Sequence, residues 1–123
     1  MCVFPRPPTL GRIWAMKRIL AFIRPKKWAA VQEALSQIAV ERMTVCDVLG
    51  FADCSQGKFP VELAQYVSLM ICVNDDFLDR TVETIRKVAR TGSHGVPGDG
   101  KIFVIPVDDT IQINSGQRGK GAV

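Results

Sequence analysis

Eleven residues, Thr91-Gly92-Ser93-His94-Gly95-Val96-Pro97-Gly98-Asp99-Gly100-Lys101, hold four glycines and a proline and end on a lysine. Glycine permits tight turns and close backbone approach to a ligand. Successive N–H groups in such a loop can cradle an anion, and Lys101 adds a positive charge at its edge. The loop is not a Walker A motif, because no GK[ST] closes it and an apolar strand-like run follows. Glycine content alone equally describes a plain flexible loop, and spacing does not separate the two. His94, the single histidine, reads first as a solvated loop residue and second as a pH-sensitive anion contact.

Other reactive types are scattered. Cys2, Cys46, Cys54 and Cys72 form no CxxC pair and have no histidine at ligand spacing, so no metal site is expected. Cys46 and Cys72 sit in apolar stretches and read as buried reduced thiols. Cys54 lies in a polar segment and reads as an exposed bystander. With no disulfide framework visible, a cytoplasmic location is expected. No Ser/His/Asp set and no facing carboxylate pair is apparent, so no catalytic residue is assigned.

These residues must be positioned by one domain. The chain has 123 residues, 47% hydrophobic and 23% charged, with a net charge of +4. That is enough for one core and does not demand nucleic acid as a partner. No apolar run approaches the ~18–20 residues of a membrane span. The surplus charge lies at the ends, on Arg6 and Arg12 and on Arg118 and Lys120. Residues 1–15, interrupted by Pro5, Pro7 and Pro8, read as a poorly ordered extension, and residues 16–123 as the domain.

Ile19 to Ile23 is a strand-length apolar run ended by Arg24-Pro25. Trp28, Val31, Leu35 and Ile38 recur at helical spacing and predict a helix over about 27–39. Met43 to Phe51 is rich in β-formers, residues 53–60 form a loop, and Tyr66 to Val73 is a second long strand. Asn74 is the expected cap of a helix whose first turn carries Asp75 and Asp76. Its expected buried face is Leu78, Val82, Ile85, Val88 and Ala89. Lys101 to Val107 is the last substantial strand.

The order βαββαβ is the ferredoxin-like α+β plan, an antiparallel sheet with two helices on one face. The strands are apolar on both faces, whereas a sheet with one wet face alternates. Two helices cover one side only, so the other side is expected to meet another copy of the chain. A sheet filled with aliphatic residues lacks the stacking aromatics of RNA-binding domains of this topology, so no nucleic-acid partner is expected.

Gly98-Asp99-Gly100-Lys101-Ile102-Phe103-Val104, preceded by Val88-Ala89-Arg90-Thr91-Gly92, resembles the nucleotide-binding B-loop of the PII (nitrogen regulatory) signal-transduction proteins. Met16-Lys17-Arg18-Ile19, Ile23-Arg24-Pro25, Met43-Thr44-Val45, Gly50-Phe51, Asp75-Asp76 and the tail from Ile111 to Gly116 agree in order. The similarity spans 16–123. It implies a homotrimer with adenine-nucleotide sites in clefts between subunits. Thr44 and the backbone near Cys72 would contact adenine, and Gly50, Phe51 and Ala52 would line the pocket at the root of a long loop. Gly98, Asp99, Gly100 and Lys101 would hold the phosphates.

There are departures. Where the family carries two outer-phosphate arginines, this chain has Gln112 and Asn114, whose neutral amides bond phosphate more weakly. AMP or ADP is then favoured over ATP, unless Arg118 or Lys120 folds back. The family's partner-contacting T-loop, here 53–63, reads as shortened. The glutamine and lysine that serve 2-oxoglutarate align with Cys54 and Tyr66, so no 2-oxoglutarate sensing is expected.

The resemblance thus implies a non-enzymatic regulator that reads adenylates and signals to a transporter or enzyme. Some short-loop relatives are linked to bicarbonate uptake, which makes inorganic carbon control and a bicarbonate effector part of the expectation. Two alternatives stand beside it: a nitrogen regulator of the usual kind, and a small nucleotide-hydrolysing enzyme.

Overall fold

A computed structural model of the chain describes residues 15–51 and 63–123. Residues 1–14 of the expected extension, Ala52, and most of the expected 53–63 loop lie outside them. Four strands among the described residues, β1 (Met16–Ile23), β2 (Thr44–Phe51), β3 (Leu63–Asn74) and β4 (Gly100–Val107), form one antiparallel sheet in the order β2-β3-β1-β4. Helices α1 (Trp28–Gln37) and α2 (Asp75–Ala89) make the βαββαβ order complete. This is the ferredoxin-like fold expected from the apolar runs.

The helices pack where their periodicity requires. Val31 and Leu35 of α1 and Ile85 and Ala89 of α2 are buried, with Trp28, Ile38, Leu78, Val82 and Val88 packed against them. Their counterparts on the sheet are Ile19, Ala21 and Ile23 of β1 and Val67, Leu69, Ile71 and Val73 of β3. Thr81 is fully buried in the α2 face as well, because its hydroxyl donates to the Phe77 carbonyl at 2.7 Å and leaves no orphan group.

Several details differ from the sequence expectation. A single 3-10 turn, Pro25–Lys27, precedes α1, and the helix ends at Gln37. Ala39 adopts φ 63° there, letting the Val40 N–H reach the Leu35 carbonyl at 2.9 Å in a Schellman-type closure. Asn74 occupies the cap position of α2, but its side chain makes no capping bond. Asp75 instead receives Lys17 Nζ at 2.8 Å, and its N–H donates to the Ala15 carbonyl. Cys46 is exposed, not buried, because it stands on edge strand β2 beside Ser68 on the side away from the helices.

That side is the one expected to need a neighbour. Register places Leu20, Met70, Phe103 and Thr44 in one cross-strand row, and Arg18, Cys72 and Ile105 in the next. Phe103 and Met70 are exposed there. The face is less aliphatic than expected, since Phe22 and Phe103 meet edge to face with centroids 6.1 Å apart.

Candidate functional site

The glycine-rich loop between α2 and β4 is held from three sides. Asp99 is its internal staple. Its carboxylate accepts the Thr91 N–H at 3.0 Å, the Thr91 hydroxyl at 2.6 Å and the Val96 N–H at 2.8 Å. Arg24 Nε lies 3.2 Å from the same carboxylate, and Arg24 Nη2 donates to the Pro97 carbonyl. The Thr91 N–H, then the Thr91 hydroxyl and the Val96 N–H, hold the carboxyl far below its ordinary range; burial opposes them and Arg24 adds a smaller pull. The phosphate contact expected of Asp99 finds no support in these bonds, every one of which is spent shaping the loop.

On the opposite side, buried Tyr66 of β3 donates its hydroxyl to the Gly98 carbonyl at 3.1 Å. Gly98, at φ 92°, and Gly100, at φ 120°, carry the chain past Tyr66 and down onto β1. Tyr66→Phe should therefore lower stability by about 1 kcal/mol, one neutral hydrogen bond, and raise hydrogen exchange in the loop more than in the sheet. Unaltered exchange across residues 96–100 would contradict this coupling.

The result is a cavity of about 540 Å³ lined by Gly50, Tyr66, Gly98, Gly100 and Lys101, with Val48, Leu49, Phe22 and Phe103 as its apolar wall. Four expected site residues, Gly50, Gly98, Gly100 and Lys101, are brought together here. Phe51 is the last residue of β2, with its backbone paired to Leu63.

Thr44 and Cys72 are elsewhere. They line a second cavity of about 740 Å³ with Arg18, Arg42, Met43, Met70, Ile105, Pro106, Val107 and Thr110. Thr44 and Gly50 are six residues apart on β2, about 20 Å at the rise of a strand. The two cavities share no lining residue and open on the same sheet face. Burial pushes the Cys72 thiol up, against an opposing pull from Arg18, so it is held as a neutral thiol.

The tail forms a third group. Ile111 bridges Arg118, the Gln112 N–H donates to the Gln117 carbonyl at 2.9 Å, and Gly116 closes back on Gln112. This small hairpin is anchored by the Thr110 hydroxyl on Met16 Sδ, and its tip presents Ile113 and Asn114 to the outside. The Gln112 side chain, expected at the ligand, donates instead to the Ala122 carbonyl at 2.9 Å. Arg118 is 3.7 Å from Asp109. Sequence reasoning missed Arg24, Thr91 and Arg42 as parts of these sites; the eight-residue separation of Thr91 and Asp99 across a glycine-rich turn was the available signal for the staple.

The family model described as "Nitrogen regulatory protein P-II" matches residues 16–117. The chain therefore belongs to that family of signal-transduction regulators. It is 37% identical over 117 residues to nitrogen regulatory protein GlnK1 of Methanosarcina mazei, covering 89% of this chain and 98% of the relative. It is 40% identical over 115 residues to nitrogen regulatory protein P-II 2 of Methanothermobacter thermautotrophicus, covering 88% and 97%. Among solved structures, Arabidopsis thaliana PII bound to citrate superposes with a TM-score of 0.74 at 35% identity, covering 89% of this chain and 92% of that one. The GlnK–ATP complex of B. subtilis gives 0.76 at 30% identity, covering 88% and 95%. No helix among the described residues is long and apolar enough to cross a membrane.

Proposed function

We propose that the chain is a non-enzymatic regulator that binds adenine nucleotides (AMP, ADP and ATP) between copies of itself and signals to a target protein through the 53–63 segment. The observation that carries this reading is the separation of the two cavities. Lys101 and Thr44 stand on the opposite edge strands β4 and β2, three strand spacings or about 14 Å apart, so a nucleotide with its phosphate at Lys101 would reach Thr44 of the same chain only by lying extended across the whole sheet face. A neighbouring copy that sets its Thr44 cavity against this Lys101 cavity supplies both at once, within a homotrimer. The exposed Phe103, Met70 and fully exposed Ile113 are apolar groups that such a neighbour would cover.

In this reading Gly98, Gly100 and Lys101 receive the phosphates, Asp99 shapes their loop, and Thr44 with the β3 backbone at Cys72 receives adenine. The B. subtilis relative, GlnK in complex with ATP, supports an adenylate as effector. The names of the relatives favour a nitrogen regulator of the usual kind as the pathway, with inorganic carbon control and a bicarbonate effector as the competing one. Tyr66 bears on the choice: its hydroxyl is engaged by Gly98 where an oxoglutarate-pairing lysine would stand.

Calorimetric titration with AMP, ADP and ATP, each alone and with bicarbonate or 2-oxoglutarate, tests the reading. Adenylate binding with little oxoglutarate enhancement is expected. Strong magnesium-dependent coupling of ATP to 2-oxoglutarate would instead restore the usual nitrogen scheme. Lys101→Ala should weaken every phosphorylated adenylate about tenfold or more, the loss of one charge-assisted hydrogen bond. Equal affinities in variant and parent would remove the cradle assignment.

A further inference from the structure

A further charged cavity lies on the helix side of the sheet, behind the glycine-rich loop. It measures about 320 Å³, and Val82, Ile85 and Ala89 of α2 and Ile102 of β4 form its walls. Ile85 and Ala89 belong to the core, with Val82 and Ile102 packed against it. The floor is therefore the core itself and not the open sheet face that carries Thr44 and Phe103. Gly100 is the partition: its backbone rests on the Phe22 carbonyl, and with Phe22 and Lys101 it borders both this cavity and the phosphate cavity.

Arg86 and Arg90 line the cavity, four residues apart and so on one side of the end of α2. Like charges at this spacing destabilise a helix. Arg86 is relieved by Glu83 at 3.6 Å. What sets Arg90 apart is burial: its Nε is shielded from solvent and has no hydrogen-bond acceptor among the described residues. The other buried arginine nitrogen in that condition, Arg24 Nε, has the Asp99 carboxylate 3.2 Å away. A buried charged donor without an acceptor is costly. Arginine at a helix end can bond the terminal carbonyls, but Arg90 Nε bonds none. Asp99, the one acid of the cavity, is spent on Thr91, Val96 and Arg24. The loop also lies directly on the Arg90 stem, since a Cβ at Gly95 would stand 3.3 Å from Arg90 Cγ.

We propose that this cavity binds a small carboxylate with a short aliphatic body, its carboxylate on Arg90 and Arg86 and its carbon chain against Val82, Ile85 and Ile102. The planar guanidinium fork matches two carboxylate oxygens. Apolar walls strengthen that pairing and take the aliphatic body out of water. The volume stands at the lower end of ligand sites and admits a few carbons, not a nucleotide. An occupant that holds the Arg90 guanidinium also steadies the loop resting on its stem. The inference goes beyond the adenylate reading and does not depend on it.

The probe is isovalerate, titrated into the full-length isotope-labelled protein and followed by NMR. Isovaleramide is its uncharged isostere, and bicarbonate is an anion without the carbon chain. Isovalerate should shift amides of residues 82–90 and 99–102 and bind about tenfold or more tighter than either control. Arg90→Gln should weaken it about tenfold or more and leave adenylate affinity unchanged. Arg86→Gln, at an exposed position, carries the same expectation and decides the matter if Arg90→Gln misfolds. Arg80→Gln, whose guanidinium lies over the Phe77 ring on the same helix, should bind as the parent does. Isovaleramide binding as tightly as isovalerate would show an apolar pocket without an anion site. Bicarbonate binding as tightly would show that the aliphatic walls contribute nothing. Either result overturns the proposal, as does equal loss in Arg80→Gln and Arg90→Gln, or the absence of any shift in these residues. Adenylate binding without an isovalerate response removes this site and leaves the adenylate reading intact.

Discussion

Gly100→Ala is expected to lower folding stability by about 2–5 kcal/mol and to abolish binding at the glycine-rich loop. Two costs combine at this position. The backbone sits at φ 120°, which side chains bearing a Cβ rarely adopt. A Cβ there would also overlap the Phe22 carbonyl oxygen, which belongs to the paired strand and cannot rotate away. Relief requires β4 to separate from β1 at the end that carries Lys101, so phosphate affinity and stability should fall together. Gly92→Ala is the control. It shares a positive φ of 66° but meets nothing within 4 Å, so about 1–2 kcal/mol of left-handed strain is all it should cost. Urea denaturation of both variants separates the two terms. Equal losses would mean that the close approach of Gly100 to β1 contributes nothing.

The fold was legible because the apolar residues repeat at the periods of the elements they occupy. Val31 and Leu35, Ile85 and Ala89, and the alternating Ile19, Ala21 and Ile23 are the core that those repeats imply. Side-chain hydrogen bonding was less legible. Asn74 has the residue type of a cap without making the bond, and Thr81 is a polar residue on a buried face, where its own helix satisfies it.

The site was legible in its parts and not in its arrangement. The spacing of Gly98, Gly100 and Lys101 places them together because they are contiguous on one turn and strand. Thr44 and Gly50 carry equally suggestive residue types, but strand geometry separates them, and only the pairing register shows that they line different cavities. Arg42 lies just before β2 in a run with no periodic signal, so nothing in the sequence says that it lines a cavity together with Arg18. Tyr66 could be recognised as a departure from the family pattern, whereas its role as a support for Gly98 depends on two elements 32 residues apart.

Asp99→Asn should cost about 2–4 kcal/mol, because a carboxylate that accepts three donors and faces Arg24 is replaced by an amide whose NH2 must point at one of them. The pH dependence gives a sharper signature. The folded-state carboxyl is held far below the value of about 3.9 it has in an unfolded chain. A depressed carboxyl contributes stability that is fully present above the unfolded pKa and is lost as pH falls toward the folded one. The difference in unfolding free energy between parent and Asp99→Asn should therefore be constant from neutral pH to about pH 5 and shrink steadily below about pH 4. Other carboxylates titrate in both proteins and cancel in that difference. A gap that stays unchanged down to about pH 2, or that opens on acidification, would show that the staple does not depend on the ionised form. In that case Asp99 would be free to act at the ligand, and the division of labour in which Asp99 shapes the loop while Gly98, Gly100 and Lys101 face the phosphates would have to be redrawn.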